Sequence, residues 1–146
     1  MKNSSLELTF GSQLQYLEIV QDVSDNISRL VGFDDDARYW ISLSVRESVI
    51  NAILHGNHQD ERKRVGVSFT IASDRLVISI QDEGQGFEES KLPDPLDPNN
   101  LLKPSGRGIF YVRSFMDEVR YRVRPEGGLE VTMEKRLNHK QGGEKK

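Results

Sequence analysis

Five segments of the chain alternate apolar and polar residues, a period of two that is typical of half-buried β-strands. The first is Ser5 to Phe10. The other four form two pairs joined by short turns, which predicts two antiparallel hairpins. One hairpin comprises 65–71 and 76–80, and the other comprises 119–123 and 129–133 around Glu126-Gly127-Gly128.

A helical spacing of apolar residues follows the first strand. We predict a helix from Gln13 to about Val31, with Ser12 as its N-cap and Gly32 as its C-terminal stop. The residues expected to form most of its buried face are Leu14, Leu17, Val20, Ile27 and Leu30.

A second helix is predicted from about Asp35 to His55, because acidic residues at its start suit the helix dipole. The residues expected to pack against the sheet are Ile41, Val45, Val49, Ala52 and Ile53. A different face carries Ser44, Glu47, Asn51 and His55, which step by three, four and four.

This second face carries groups suited to chemistry, because Glu47 offers a proton acceptor one turn before the neutral oxygen of Asn51. A hard metal ion and a phosphoryl acceptor need those groups. A solvated helix face is the ordinary explanation for the same spacing, and the helix dipole alone favours His55 near a C-terminus.

The order of elements is strand, helix, helix, hairpin, irregular loop, short helix, hairpin. It predicts an α+β fold, a two-layer α/β sandwich whose mostly antiparallel sheet has helices on one face. The loop is the proline-rich stretch 92–104, and the short helix runs from Ile109 to Met116. We expect one domain over 1–137 and a disordered polar tail over 138–146.

Composition narrows the class of protein. The 146 residues suit one domain, and the net charge of −3 argues against direct nucleic-acid binding. The absence of cysteine excludes disulfides, thiolate metal sites and cysteine nucleophiles. No apolar run has membrane-spanning length and the N-terminus lacks a hydrophobic signal core, so we expect no membrane partner and a cytoplasmic location.

Two glycine pairs could bring the backbone close to a ligand. Gly84 and Gly86 follow a strand end at Asp82, whereas Gly106 and Gly108 flank Arg107 just before the short helix. A helix start also exposes N–H groups to an anion. Neither pair forms a P-loop or a dinucleotide fingerprint, and ordinary turns use such glycines as well.

Asp82 is a more specific candidate, because it is a carboxylate at the end of an apolar strand. It could accept a hydrogen bond from an exocyclic amine such as that of adenine. The ordinary alternative is an aspartate that only opens a turn.

The chain contains three motifs in order: Glu-x-x-x-Asn on a helix, Asp-x-Gly-x-Gly after a strand, and Gly-x-Gly before a helix. This combination resembles the Bergerat ATP-binding fold of histidine kinases, gyrase and MutL. The resemblance extends from about Asp36 to Met133. The phrases at 47–56 and 105–119 are more narrowly similar to the bacterial anti-sigma factor serine kinases, the RsbW type.

That resemblance implies a role for each matching residue. Glu47 would be the general base, Asn51 the Mg²⁺ ligand and Asp82 the adenine-reading carboxylate. The other residues implied to bind nucleotide are Gly84 and Gly86 beneath the base, Gly106, Arg107 and Gly108 beside the phosphates, and Thr132 as a supporting hydroxyl. Thr132 also suits a strand by propensity alone. The stretch 92–104 would be the ATP lid.

The implied activity is an ATP- and Mg²⁺-dependent serine/threonine kinase that phosphorylates a STAS-type anti-anti-sigma protein. Sequestration of a sigma factor and formation of a homodimer are left open by the same resemblance. The main alternative is a non-catalytic ATP-binding switch, which would not need a carboxylate at Glu47. A clamp-type ATPase is disfavoured, because we expect no transducer domain.

Overall fold

Among the described residues, a five-stranded antiparallel sheet forms one layer of the fold and helices form the other, which confirms the predicted α+β sandwich. The computed structural model describes residues 3–84 and 112–137. The strands are β1 (Ser4–Gly11), β2 (Arg64–Ile71), β3 (Arg75–Gln81), β4 (Glu118–Val123) and β5 (Leu129–Arg136).

All neighbouring strands pair antiparallel, in the spatial order β1-β2-β3-β5-β4. Both predicted hairpins are present. The second hairpin enters the sheet through its later strand, so β5 pairs with β3 and β4 lies at the edge. This insertion places the β4–β5 turn beside the end of β3.

The first predicted helix begins later than expected. A 3₁₀ turn, Leu14–Tyr16, precedes the helix α1, Leu17–Val31. The prediction of Ser12 as N-cap is wrong, because its hydroxyl donates instead to the carbonyl oxygen of Lys63 at 2.7 Å. Gly32 ends the helix with a φ of +112°, as a left-handed C-terminal residue should.

Two members of the predicted buried face of α1 are exposed. Leu14 lies in the 3₁₀ turn and is 44% exposed, and Leu30 is 73% exposed. The later helix start breaks the assumed periodicity at Leu14. Val31, one position beyond Leu30, takes the buried place at the end of the helix.

The second predicted helix is α2, Asp35–Asn51, which continues as a π-helical turn, Ala52–Gly56. Asp34 is its N-cap, and its side chain accepts the N–H of Ala37 at 2.9 Å. A π turn is wider than an α turn, so His55 does not continue the line of Glu47 and Asn51. π turns inside helices are frequent at functional sites.

A single core joins the helices to one face of the sheet. The predicted stripe of α2 lies entirely within it. The fully buried core residues on the sheet are Val65, Val67, Phe69, Leu76, Ile78, Ile80 and Met133. The other face of the sheet is polar, because successive strand residues point to opposite sides.

The predicted loop 92–104, the beginning of the predicted helix Ile109 to Met116 and the tail 138–146 lie outside the described residues. Residues 112–115 are helical, and the N–H of Met116 donates to the carbonyl oxygen of Val112 at 2.8 Å. Within 3–84 and 112–137, none of the helices combines the length and hydrophobicity needed to cross a membrane.

Candidate functional site

Asp82 lies at the end of β3 and is 5% exposed. Its main-chain N–H donates to the carbonyl oxygen of Leu129 at 3.0 Å. Its carboxylate oxygen Oδ1 accepts the N–H groups of Gly84 and Leu129, both at 3.0 Å. Since a buried carboxylate needs such partners, these bonds keep Asp82 in place.

The two oxygens of Asp82 have different surroundings. The bond from Gly84 to Oδ1 spans two residues and makes an Asx-turn, so the ordinary role of opening a turn is observed for this oxygen. Among the described residues, no hydrogen bond reaches Oδ2. That oxygen lies against Gly56 and is the candidate acceptor for a ligand.

Three glycines surround Asp82 at distances that exclude a side chain. A Cβ at Gly56 would lie 2.2 Å from Asp82 Oδ2, and one at Gly128 would lie 2.0 Å from the Asp82 carbonyl oxygen. A Cβ at Gly84 would lie 2.3 Å from the carbonyl oxygen of Gly56. The end of the π turn, the end of β3 and the β4–β5 turn therefore meet at one carboxylate.

Glu47 and Asn51 lie one turn apart near the end of α2, which leads through the π turn to Gly56. Partial burial raises the pKa of the Glu47 carboxyl above its ordinary value, and the neighbouring charge of Arg46 offsets part of that rise. A raised pKa brings a carboxylate closer to the range suited to accepting a proton at neutral pH.

Asn51 carries an unpaired acceptor. Its Oδ1 is buried and has no hydrogen-bond partner among the described residues. Such an atom costs about 1–3 kcal/mol when it is left unsatisfied. A neutral oxygen of this kind fits a hard cation, which binds side-chain amide and carboxylate oxygens.

The structure does not bring Thr132 together with Asp82. Thr132 pairs with Ser79, three residues before Asp82, whereas the adjacent pair of Ile78 and Met133 faces the core. Thr132 therefore lies on the polar face of the sheet. Gly86, Gly106, Arg107 and Gly108 lie outside the described residues.

The two other residues of the predicted polar helix face, Ser44 and His55, lie in different environments. Ser44 is buried and donates its hydroxyl to the carbonyl oxygen of Trp40 at 2.8 Å. His55 lies in the π turn and is exposed.

Asn57, Arg124 and Gly128 contact the Asp82 region but were not predicted as site residues. Asn57 directly follows Gly56, and Gly128 is the second glycine of a predicted turn, so each had a weak signal in the sequence. Arg124 had none. Its guanidinium donates to the Asp82 carbonyl oxygen at 2.6 Å only because β5 pairs with β3.

Comparison with known proteins identifies the family of the chain. A family model described as "Histidine kinase-like ATPase domain" matches residues 10–135. The serine-protein kinase RsbW of Bacillus subtilis is 30% identical over 146 aligned residues, covering 94% of this chain and 90% of that protein. The anti-sigma F factor of Oceanobacillus iheyensis is 33% identical, covering 67% of this chain and 68% of that protein.

The fold also has a relative among solved structures. The catalytic domain of the histidine kinase ThkA matches with a TM-score of 0.57 and 14% identity, covering 93% of this chain and 96% of that domain. At this identity the likeness concerns the fold alone.

Proposed function

The chain belongs to the histidine kinase-like ATPase domain family, and on that premise we propose that it is an ATP-dependent serine/threonine protein kinase of the anti-sigma factor type. The observation that carries this proposal is the buried carboxylate of Asp82. One of its oxygens accepts two N–H groups, and the other lies against Gly56 and accepts no hydrogen bond from the described residues. Glu47 and Asn51 are on the helix that leads directly to Gly56.

Asp82 would recognise the base. Its Oδ2 accepts a hydrogen bond from the exocyclic amine of adenine, while Oδ1 remains bound to the main chain. Gly56 and Gly84 have no side chains, so the backbone can pack closely around this carboxylate. A purine without that amine would leave a buried acceptor unpaired, so this contact would also give specificity.

Asn51 would hold Mg²⁺ through Oδ1, the buried oxygen that has no hydrogen-bond partner in the described part of the chain. When bound, the ion would neutralise charge on the phosphates. A single amide ligand suits Mg²⁺, which keeps several waters and is held largely by substrate phosphates. The residues predicted to bind the phosphates, Gly106, Arg107 and Gly108, are retained in this proposal as sequence assignments.

Glu47 would act as the general base in phosphoryl transfer. Its carboxylate takes the proton of a serine hydroxyl as that oxygen forms a bond to the γ-phosphorus. The bond from the γ-phosphorus to the β,γ-bridging oxygen breaks, and ADP leaves with the electron pair. Partial burial, which raises the pKa of Glu47, supports this role.

The protein substrate would be a STAS-domain anti-anti-sigma protein, and a sigma factor would be a second partner. The names of the relatives, a serine-protein kinase and an anti-sigma factor, support this choice.

The test is incubation of the full chain with γ-labelled ATP, Mg²⁺ and STAS-domain proteins from the same genome. We expect one STAS protein to become labelled on serine or threonine. Glu47→Ala should bind ATP without labelling it. If the wild-type chain binds ATP but labels no STAS protein, the nucleotide-dependent switch replaces the kinase proposal. If it binds no ATP, both proposals fail.

A further inference from the structure

The peptide bond between Asp82 and Glu83 is held at both ends by side chains from other parts of the chain. Its carbonyl oxygen accepts a hydrogen bond from Arg124 Nη1 at 2.6 Å. Its N–H donates to Asn57 Oδ1 at 2.7 Å. Because a peptide unit is planar, bonds at its two opposite edges set the orientation of the whole plane.

Asn57 is a rigid partner for this peptide. It is 0% exposed, and its Nδ2 donates to Ser12 Oγ at 2.8 Å and to the carbonyl oxygen of Arg64 at 3.0 Å. The Arg64 carbonyl can only accept, so the amide must point its nitrogen there and its oxygen at Glu83. Asn57 thereby links the ends of β1, β2 and β3.

Arg124 holds the other end of the peptide from the β4–β5 turn. Its side chain is 18% exposed, and its Nε lies 3.3 Å from Glu126 Oε1. Its main-chain N–H donates to the carbonyl oxygen of Gly128 at 2.9 Å. Gly128 has a φ of +99° and no Cβ, which allows the turn to approach the Asp82 carbonyl.

From this geometry we propose that Asn57 and Arg124 are positioning residues for base recognition. By clamping the Asp82–Glu83 peptide, they hold Oδ2 of Asp82 in the orientation that selects a purine with an exocyclic amine. This inference rests on the proposed function, because it takes adenine as the group that Asp82 contacts. A loosened clamp would let the carboxylate turn, and selection of the base would weaken more than binding of the triphosphate.

The experiment compares two nucleotides that differ only in that amine, ATP and purine riboside triphosphate. Calorimetry on the full chain gives the dissociation constant of each, and their ratio measures base selection. The wild type is expected to prefer ATP by on the order of 10-fold or more. Arg124→Met keeps the apolar stem but removes the donor, and should bring the ratio close to one.

Three further variants complete the comparison. Arg124→Lys retains a donor and should keep most of the selection. Arg122→Met removes a neighbouring arginine that pairs with Glu130 at 3.1 Å instead, and should leave the ratio unchanged. Asn57→Ala should lower the ratio as Arg124→Met does. Asn57→Ala removes a buried side chain and could unfold the chain. Arg124→Met is therefore the deciding variant.

The outcomes separate this inference from the proposed function. An unchanged ratio in Arg124→Met, or an equal loss of affinity for both nucleotides, overturns the clamp alone. Equal affinity of the wild type for both nucleotides overturns the assignment of Asp82 and the clamp with it. Failure of the wild type to bind either nucleotide overturns the proposed function as well.

Discussion

Gly56 packs so closely on Asp82 that a Cβ built at Gly56 would lie 2.2 Å from Asp82 Oδ2. Gly56 comes from the end of the π turn and Asp82 from the end of β3. The contact therefore joins the helix that carries Glu47 and Asn51 to the strand that carries the candidate base-reading carboxylate. It brings the two halves of the site together without a side chain at Gly56.

Gly56→Ala should displace the carboxylate and weaken ATP binding by about 10-fold or more, because overpacking in a tight contact costs about 1–3 kcal/mol. Calorimetry measures the affinity and urea unfolding measures the stability. Gly66→Ala is the matched control, since a Cβ there would make ordinary contacts with the Gln81 side chain, 3.5 Å from Oε1 and 4.0 Å from Cβ. Equal affinity in Gly56→Ala and wild type would contradict the placement of the base beside Oδ2.

Asp82→Asn should reduce ATP affinity by about 10- to 100-fold, because the new amide presents a donor to the adenine amine where Oδ2 accepted. The fold should survive. The remaining amide oxygen can still accept the N–H groups of Gly84 and Leu129. Calorimetry and a thermal melt test the two parts separately. A variant that melts and binds ATP as the wild type does would contradict the assignment of Asp82 to the adenine amine.

Asn51→Leu should abolish the Mg²⁺ dependence of ATP binding without destabilising the protein. Leucine has a similar shape and removes an acceptor that has no partner within residues 3–84 and 112–137. The free energy of unfolding should therefore stay constant or rise by up to about 1–3 kcal/mol. Titration of ATP with and without Mg²⁺, together with urea unfolding, provides the test. Retained Mg²⁺ dependence would remove Asn51 from the metal site.

Glu47→Gln should stop transfer of phosphate to the partner while ATP still binds. The raised pKa of Glu47 also predicts a pH effect on stability. The folded state binds the Glu47 proton more tightly than the unfolded state, so protonation adds stability to the wild type at pH values below the unfolded pKa. This added stability is lost as pH rises through the folded pKa. Between the unfolded and the folded pKa, the stability of Glu47→Gln relative to wild type should therefore rise with pH.

Urea unfolding at a series of pH values measures this difference. Glu18→Gln, on the first turn of α1, is the control for removing a glutamate elsewhere on the helical layer. If Glu47→Gln and wild type keep a constant difference at every pH, the carboxyl of Glu47 does not titrate as its burial implies.

Much of the fold was predictable from local patterns. Alternation identified the strands of both hairpins, and the stripe from Ile41 to Ile53 identified the buried face of α2, because periodicity directly reflects which face meets the core. The start of α1 was mispredicted, since the Ser12 hydroxyl donates to Lys63 from a distant part of the chain. Leu14 was consequently assigned to the buried face, and Leu30 was assigned there although Val31 takes the buried place at the end of the helix.

The candidate site was predictable only in part. Glu47, Asn51 and Asp82 have side chains whose chemistry is visible in a sequence, and the order of the motifs associates them. The support around Asp82 could not be predicted, because Arg124 and Asp82 are 42 positions apart and meet through the pairing of β5 with β3. Thr132, chosen for its residue type and strand, lies on the other face of the sheet.

The sequence by itself determined the types and order of the elements, the family resemblance and the residues able to supply a base, a metal ligand and a base-reading carboxylate. Those properties depend on local periodicity and side-chain chemistry. Only the tertiary structure decided that Gly56, Gly128, Asn57 and Arg124 converge on Asp82. Strand insertion and the contact between a helix end and a strand end create that convergence, and neither leaves a local pattern in the chain.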